Sequence, residues 1–158
     1  VNELENLEIK MKNKILDKGF TLIELMVVIG IIGLLASTVL LALNKARVKA
    51  RDARRAGDVH QMSTALESYN NEWGGYPTAV TDLIPTLLGA VPVAPNPADG
   101  TCTPAQNDYV YANSGTSDVS SKDGTTTVYP SFNYSFCLGL NVESMSAGTH
   151  TLTPSGIQ

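Results

Sequence analysis

One run limits what this chain can fold into more than any other. Phe20 to Leu43, FTLIELMVVIGIIGLLASTVLLAL, is apolar throughout apart from Glu24 and a few small polar residues. As a helix it reaches roughly 36 Å at 1.5 Å per residue, enough to cover a hydrocarbon core. A secretory signal has a shorter apolar stretch with a small-residue cleavage site behind it, so it does not fit. A core helix without a polar face needs protein on every side, and the rest of the 158 residues is too little to provide it. A membrane-spanning helix remains. Glu24 is the single charge in the run, and an ionisable group in hydrocarbon costs a few kcal/mol unless it finds a partner or stays near the interface. It lies about 6 to 7 Å along the helix from Phe20. It therefore either snorkels to the headgroups or waits for a cation that arrives with another subunit.

Charge is segregated along the chain. From Gly57 onward nine acids (Asp58, Glu67, Glu72, Asp82, Asp99, Asp108, Asp118, Asp123, Glu143) face the single base Lys122. An acidic block of this kind is a poor nucleic-acid surface. Lys45, Arg47, Lys49, Arg51, Arg54 and Arg55 form a basic run just past the apolar segment. It reads as a solvated or headgroup-facing collar; nucleic-acid contact is the competing reading, weakly supported without interleaved aromatics. His60 and His150 provide neither a nucleophile-base pair nor a metal cluster, so no catalytic residue, metal or cofactor is expected.

Between Gly33 and Gly57 no Pro or Gly interrupts the chain, and beyond it Val59, Met62, Leu66, Tyr69 and Trp73 keep helical spacings of three and four. Upstream the stripe narrows to Ala46, Ala50, Ala53 and Ala56, small enough for close approach of a neighbouring helix. Gly74, Gly75 and Pro77 end the helix. The element from Phe20 to Glu72 is thus on the order of 80 Å long.

Next, Thr81 or Asp82 is expected to cap a short helix through Leu88, followed by the proline-rich VPVAPNPADG. Strands are expected at Tyr109 to Ala112, Thr125 to Tyr129 and Phe132 to Leu140. In the last, Phe132, Tyr134, Phe136, Leu138 and Leu140 alternate with small or polar residues, so one face packs on the helix stripe. Cys137 then points away from that core, where a loop carrying Cys102 can cross; if that side is oxidising the two form one disulfide, and otherwise they are two separate thiols. SGTSDVSSKDGTTT reads as an exposed loop.

The residues Gly19 to Ile29, GFTLIELMVVI, closely resemble the prepilin-type signal of type IV pilins and pseudopilins: a charged leader ending in Gly, then Phe, then an apolar helix with Glu as its fifth residue. The resemblance implies cleavage between Gly19 and Phe20 by a prepilin peptidase and methylation of the new Phe20 amine. It also implies assembly, with Glu24 meeting the Phe20 ammonium of a neighbouring subunit and setting axial register, a use for which charge pairs are well suited. Met11, opening MKNKILDKG, is the expected true start. Lys and Arg counts alone favour the reverse orientation; the motif is followed instead, with the leader inside. Filament-forming pilins commonly have a proline where Leu41 stands here, which leaves local melting of the helix open. The Tyr-Pro-Thr after the long helix looks like the loop of pilins and major pseudopilins. Asp118 and Asp123 resemble the calcium loops of the latter, but their spacing is no recognisable ligand set.

The expected fold is α+β and pilin-like: leader 1–19, membrane and assembly helix 20–43, amphipathic continuation 44–73, and a headpiece 74–158 of antiparallel strands with the Cys102–Cys137 bond. The expected role is a structural subunit of a surface filament serving adhesion, motility or DNA uptake. The alternative is a type II secretion pseudopilin in a periplasmic filament, and a tethered module that never polymerises is a third class. Partners would be the prepilin peptidase, other pilins, and the inner or cytoplasmic membrane before assembly.

Overall fold

The structure, a computed structural model, describes residue 3, residues 19–116 and residues 119–158. Met11, the leader's Lys10, Lys12, Lys14 and Lys18, and Asp118 lie outside the described residues. Helix α1, Leu22–Trp73, passes without interruption through Leu41. The chain divides into two units with the boundary between Leu43 and Asn44.

In the second unit a four-stranded antiparallel sheet has the order β1 (Val110–Ser114), β4 (Ser131–Leu138), β5 (Gly148–Thr153), β6 (Gly156–Ile157). A separate antiparallel pair joins β2 (Val119–Ser120) to β3 (Thr127–Val128). Alternation along β4 sends Phe132, Tyr134, Phe136 and Leu138 into a core with Val59, Met62, Leu66 and Tyr69 of α1. Each such side chain, fully removed from water, contributes roughly 1.5–3 kcal/mol. Leu140 lies beyond the strand and is exposed.

Three expectations need correction. The helix through Leu88 is only a 3-10 turn, Val80–Leu83, capped from Ala79, whose N–H donates to Asp82 Oδ2 at 2.9 Å. Pro85 stops it, because the residue before a proline is pushed out of the helical region, and Ile84 is extended. The loop after β1 contains β2, and Lys122 is tied back by its N–H to Trp73 O at 2.9 Å. Strand β5 is an addition: its threonines carry an alternation too weak in apolar character to stand out.

The third correction concerns the basic run. Continuing upward from Val59, the buried stripe of α1 is Ala56, Arg55 and Asp52, while Ala46, Ala50 and Ala53 are exposed. Asp52 and Arg55 have no exposed surface. Arg55 Nη1 donates to Asp52 Oδ1 at 2.6 Å, and its Nη2 donates to Asn107 Oδ1 at 2.7 Å and Pro95 O at 2.9 Å. Asp52 also accepts from the Gly139 and Leu140 N–H groups at 3.0 and 2.8 Å. Arg51 forks onto Asp99 through Nε and Nη2 at 2.6 and 2.5 Å. Two of the six bases are therefore fastenings for the proline-rich loop, leaving Lys45, Arg47, Lys49 and Arg54 exposed.

The same corner holds the disulfide. Cys102 and Cys137 are bonded, with Cα atoms 5.9 Å apart. Gly100 has φ +58, and a Cβ there would stand 2.1 Å from Gly139 O, so only glycine allows the loop to lie this close to the end of β4. Helix α2 (Pro104–Asn107) follows at once and presents the buried Asn107 to Arg55.

Candidate functional site

The residues singled out for processing and assembly sit at the start of α1. Gly19 and Phe20 precede the helix, outside any regular secondary structure, and Phe20 is 87% exposed. Thr21 is the N-cap. Its hydroxyl accepts from the Glu24 N–H at 3.2 Å, and Glu24 Oε2 accepts from the Thr21 N–H at 2.9 Å and from its hydroxyl at 2.8 Å. This reciprocal pair is a capping box, which satisfies two helix-end donors that otherwise lack partners. Glu24 thus has a local task within one chain that the sequence reading missed, although Thr-x-x-Glu ahead of an apolar run is its signature. Only one carboxylate oxygen is used; Oε1 has no partner among the described residues.

Below the cap and as far as Leu43, α1 is apolar on every face. Its large side chains from Leu22 to Leu43 are exposed, among them Leu34 at 68% and Leu41 at 67%. Ser37 and Thr38 hide their hydroxyl donors by bonding Leu34 O and Leu35 O, each at 2.8 Å. By length and composition this helix is able to cross a membrane. The surface it offers is uniform, so what it selects is an apolar surrounding: lipid, or other helices of the same kind.

Elsewhere the second unit shows polar groups used for structure. Asp99 is held below the usual carboxylate range by its hydrogen bond from Arg51, against the opposing effect of burial. Tyr109 donates to Asp58 at 2.9 Å and Tyr76 to Glu67 at 2.8 Å, and burial first of all raises the pKa of both phenols. His60 is exposed. His150 stacks on Phe136 with ring centres 5.5 Å apart and bonds Ser146 O at 2.8 Å. Among the described residues no group of three or more His, Cys, Asp or Glu side chains is arranged to hold a metal.

These features meet known proteins at two scales. The prokaryotic N-terminal methylation motif matches residues 16–40, the segment that includes the capped helix start. Across the longer chain, the type II secretion system core protein G of Escherichia coli K12 is 38% identical over 113 residues, 62% of this chain and 73% of that protein. The chain belongs to the family of type II secretion core protein G. The Vibrio cholerae member of this pilin-like family is 34% identical over 114 residues, covering 66% of this chain and 77% of the relative. The alignment with the Aeromonas hydrophila member is shorter, 38% over 79 residues and 54% of that protein. No solved structure matches. Family and apolar helix together make the chain a pilin-like filament subunit, anchored in the inner membrane and assembled into a periplasmic or surface filament.

Proposed function

We propose that the chain is the precursor of a type II secretion pseudopilin, cut between Gly19 and Phe20 by a prepilin peptidase, methylated at Phe20 and polymerised through α1. Supporting this over a surface pilus is the similarity to core protein G, which reaches well beyond the N-terminal motif. After the cut, Phe20 carries an α-ammonium next to the N-cap. The Glu24 oxygen left over by the capping box is the acceptor for the ammonium of an adjacent subunit, and the pair fixes axial register. Capping and pairing use different oxygens, so one residue serves both.

N-terminal sequencing of the native product tests processing: it should begin at N-methylated Phe20, and any other start refutes the scheme. Deletion of the gene should block export of secreted proteins while leaving surface filaments in place. The second reading is a surface filament; the disulfide suits it and a periplasmic headpiece equally, since both compartments are oxidising, and loss of surface filaments with secretion intact would establish that reading instead. Glu24→Gln keeps the capping geometry and removes the charge. Assembly as slow in Glu24→Gln as in Glu24→Ala assigns the role to charge, whereas normal assembly in Glu24→Gln would reduce Glu24 to a cap.

A further inference from the structure

A cleft of about 610 Å³ opens where the last turns of α1 meet the 3-10 turn and β3. Its size falls in the range of small-molecule sites. One wall is aromatic: the nearly buried Tyr69 ring lies 6.0 Å from the half-buried Trp73 ring, tilted by 36°. The other walls are polar apart from the exposed Ile84 side chain, and their polar groups are only partly engaged. Asp82 spends Oδ2 on the Ala79 N–H, and Oδ1 has no partner among the described residues. Thr78 is bonded through its carbonyl, which accepts from Asn113 Nδ2 at 3.1 Å; its hydroxyl, like those of Thr86 and Thr127 in the same lining, is free among the described residues.

The electrostatics point the same way. Burial first, then the charges of Asp82, Asp123 and Glu72, raise the pKa of Tyr69, so its hydroxyl stays a neutral donor in a negative field. Among the described residues no Lys, Arg or His lines the cleft. Phosphates, nucleic acid and acidic polymers are therefore repelled. An aliphatic chain would cover the Asp82 carboxylate and the hydroxyls without bonding them, which is unfavourable. A quaternary ammonium would use the carboxylate and the rings but, having no N–H to donate, leave the threonines idle.

We propose that this cleft binds a neutral saccharide, with the C–H face of a sugar ring on Trp73 and the sugar hydroxyls on Asp82 and the threonine hydroxyls. An aromatic platform beside a carboxylate and free hydroxyls matches a ligand that is apolar on its ring faces and hydrogen-bonding around its rim. The inference goes beyond the filament role and does not depend on whether the filament serves secretion or the cell surface.

Trp73 is the single tryptophan, so its fluorescence reports this cleft. The full chain, in lauryl dimethylamine oxide micelles that carry no sugar headgroup, is titrated separately with maltohexaose, cellohexaose, chitohexaose and xylohexaose. At least one should give a saturable change with a Kd near or below about 1 mM. Asp82→Asn, which retains an oxygen for the Ala79 N–H, should weaken it at least tenfold. Thr127→Val should weaken it severalfold with the thermal midpoint unchanged. The proposal is overturned if all four sugars give no saturable change or if binding is unaltered in both variants. Saturation by choline, polygalacturonate or a hexaproline peptide in place of the sugars would overturn it as well.

Discussion

Asp52→Ala is the change from which most can be learned about how the headpiece is fastened. The substitution leaves Arg55, with no exposed surface, facing only neutral acceptors and an Asp99 oxygen at 3.3 Å. It also strips the Gly139 and Leu140 N–H groups of their acceptor. Removing one member of a buried pair costs about 3–5 kcal/mol, and an unsatisfied buried donor about 1–3 kcal/mol. The terms overlap, because the space left by the side chain admits water, so about 4 kcal/mol is expected. Set against a total of about 5–15 kcal/mol, that is a large fraction. Urea unfolding of the full chain in micelles, followed by Trp73 fluorescence, should show the midpoint fall by about 2–3 M for a slope near 1.5 kcal/mol/M. Asp52→Asn keeps one oxygen, enough for Arg55 and the Gly139 N–H but not for the Leu140 N–H, and should lose less than the Ala variant. The reasoning fails if Asp52→Ala stays within about 1 kcal/mol of the parent, or if the Asn variant is as damaged as the Ala variant.

Replacing Cys102 and Cys137 together by serine removes a constraint of sequence separation 35 and should lower unfolding stability by about 3–4 kcal/mol through loop-closure entropy; an unchanged melt on adding reductant to the parent would contradict this. Asp99 has a folded pKa below its unfolded value of about 3.9. Its contribution is present above that value and is lost as pH falls through the lower folded pKa, so Asp99→Asn should flatten the acid limb of a plot of stability against pH. Tyr69, Tyr76, Tyr109, Tyr111 and Tyr134 all have raised pKa values, each chiefly from burial. The stability they carry holds below about pH 10 and declines as pH rises toward their folded values, so in an alkaline titration their phenolate absorbance should appear together with unfolding rather than ahead of it.

The elements legible in the sequence were those with strong periodicity. The three-and-four spacing of Val59, Met62, Leu66 and Tyr69 and the two-residue alternation from Phe132 to Leu138 each define an apolar face, and the two faces meet in the core. Strand β5 carries mainly threonines and one histidine, so local pattern could not separate it from loop; it is a strand because β4 offers it five residues of antiparallel register, from Tyr134 to Leu138. The buried polar corner was hidden for another reason. A run of six bases looks solvated by composition, and the eye follows alanines as the apolar continuation of the stripe. Spacing alone, counted back from Val59, gives positions 56, 55 and 52, and the lone acid among the bases stands at one of them.

Glu24 shows how a residue type can be judged against the wrong surroundings. Weighed against hydrocarbon, a carboxylate at this depth demands a counter-ion from elsewhere. Weighed against the end of a helix, it already has the Thr21 N–H and hydroxyl. The two environments act on the same group. Closing the capping box points the carboxylate back toward the N-terminal end of α1, the end at which the proposed cut would leave an ammonium. A Glu with no cap would have several rotamers to lose on pairing, whereas one already held through Oε2 presents Oε1 with less entropy left to give up. In the proposed scheme the capping box is therefore not a rival to the assembly role but a means of preparing it: a side chain placed to satisfy the helix end would also be placed to receive the next subunit.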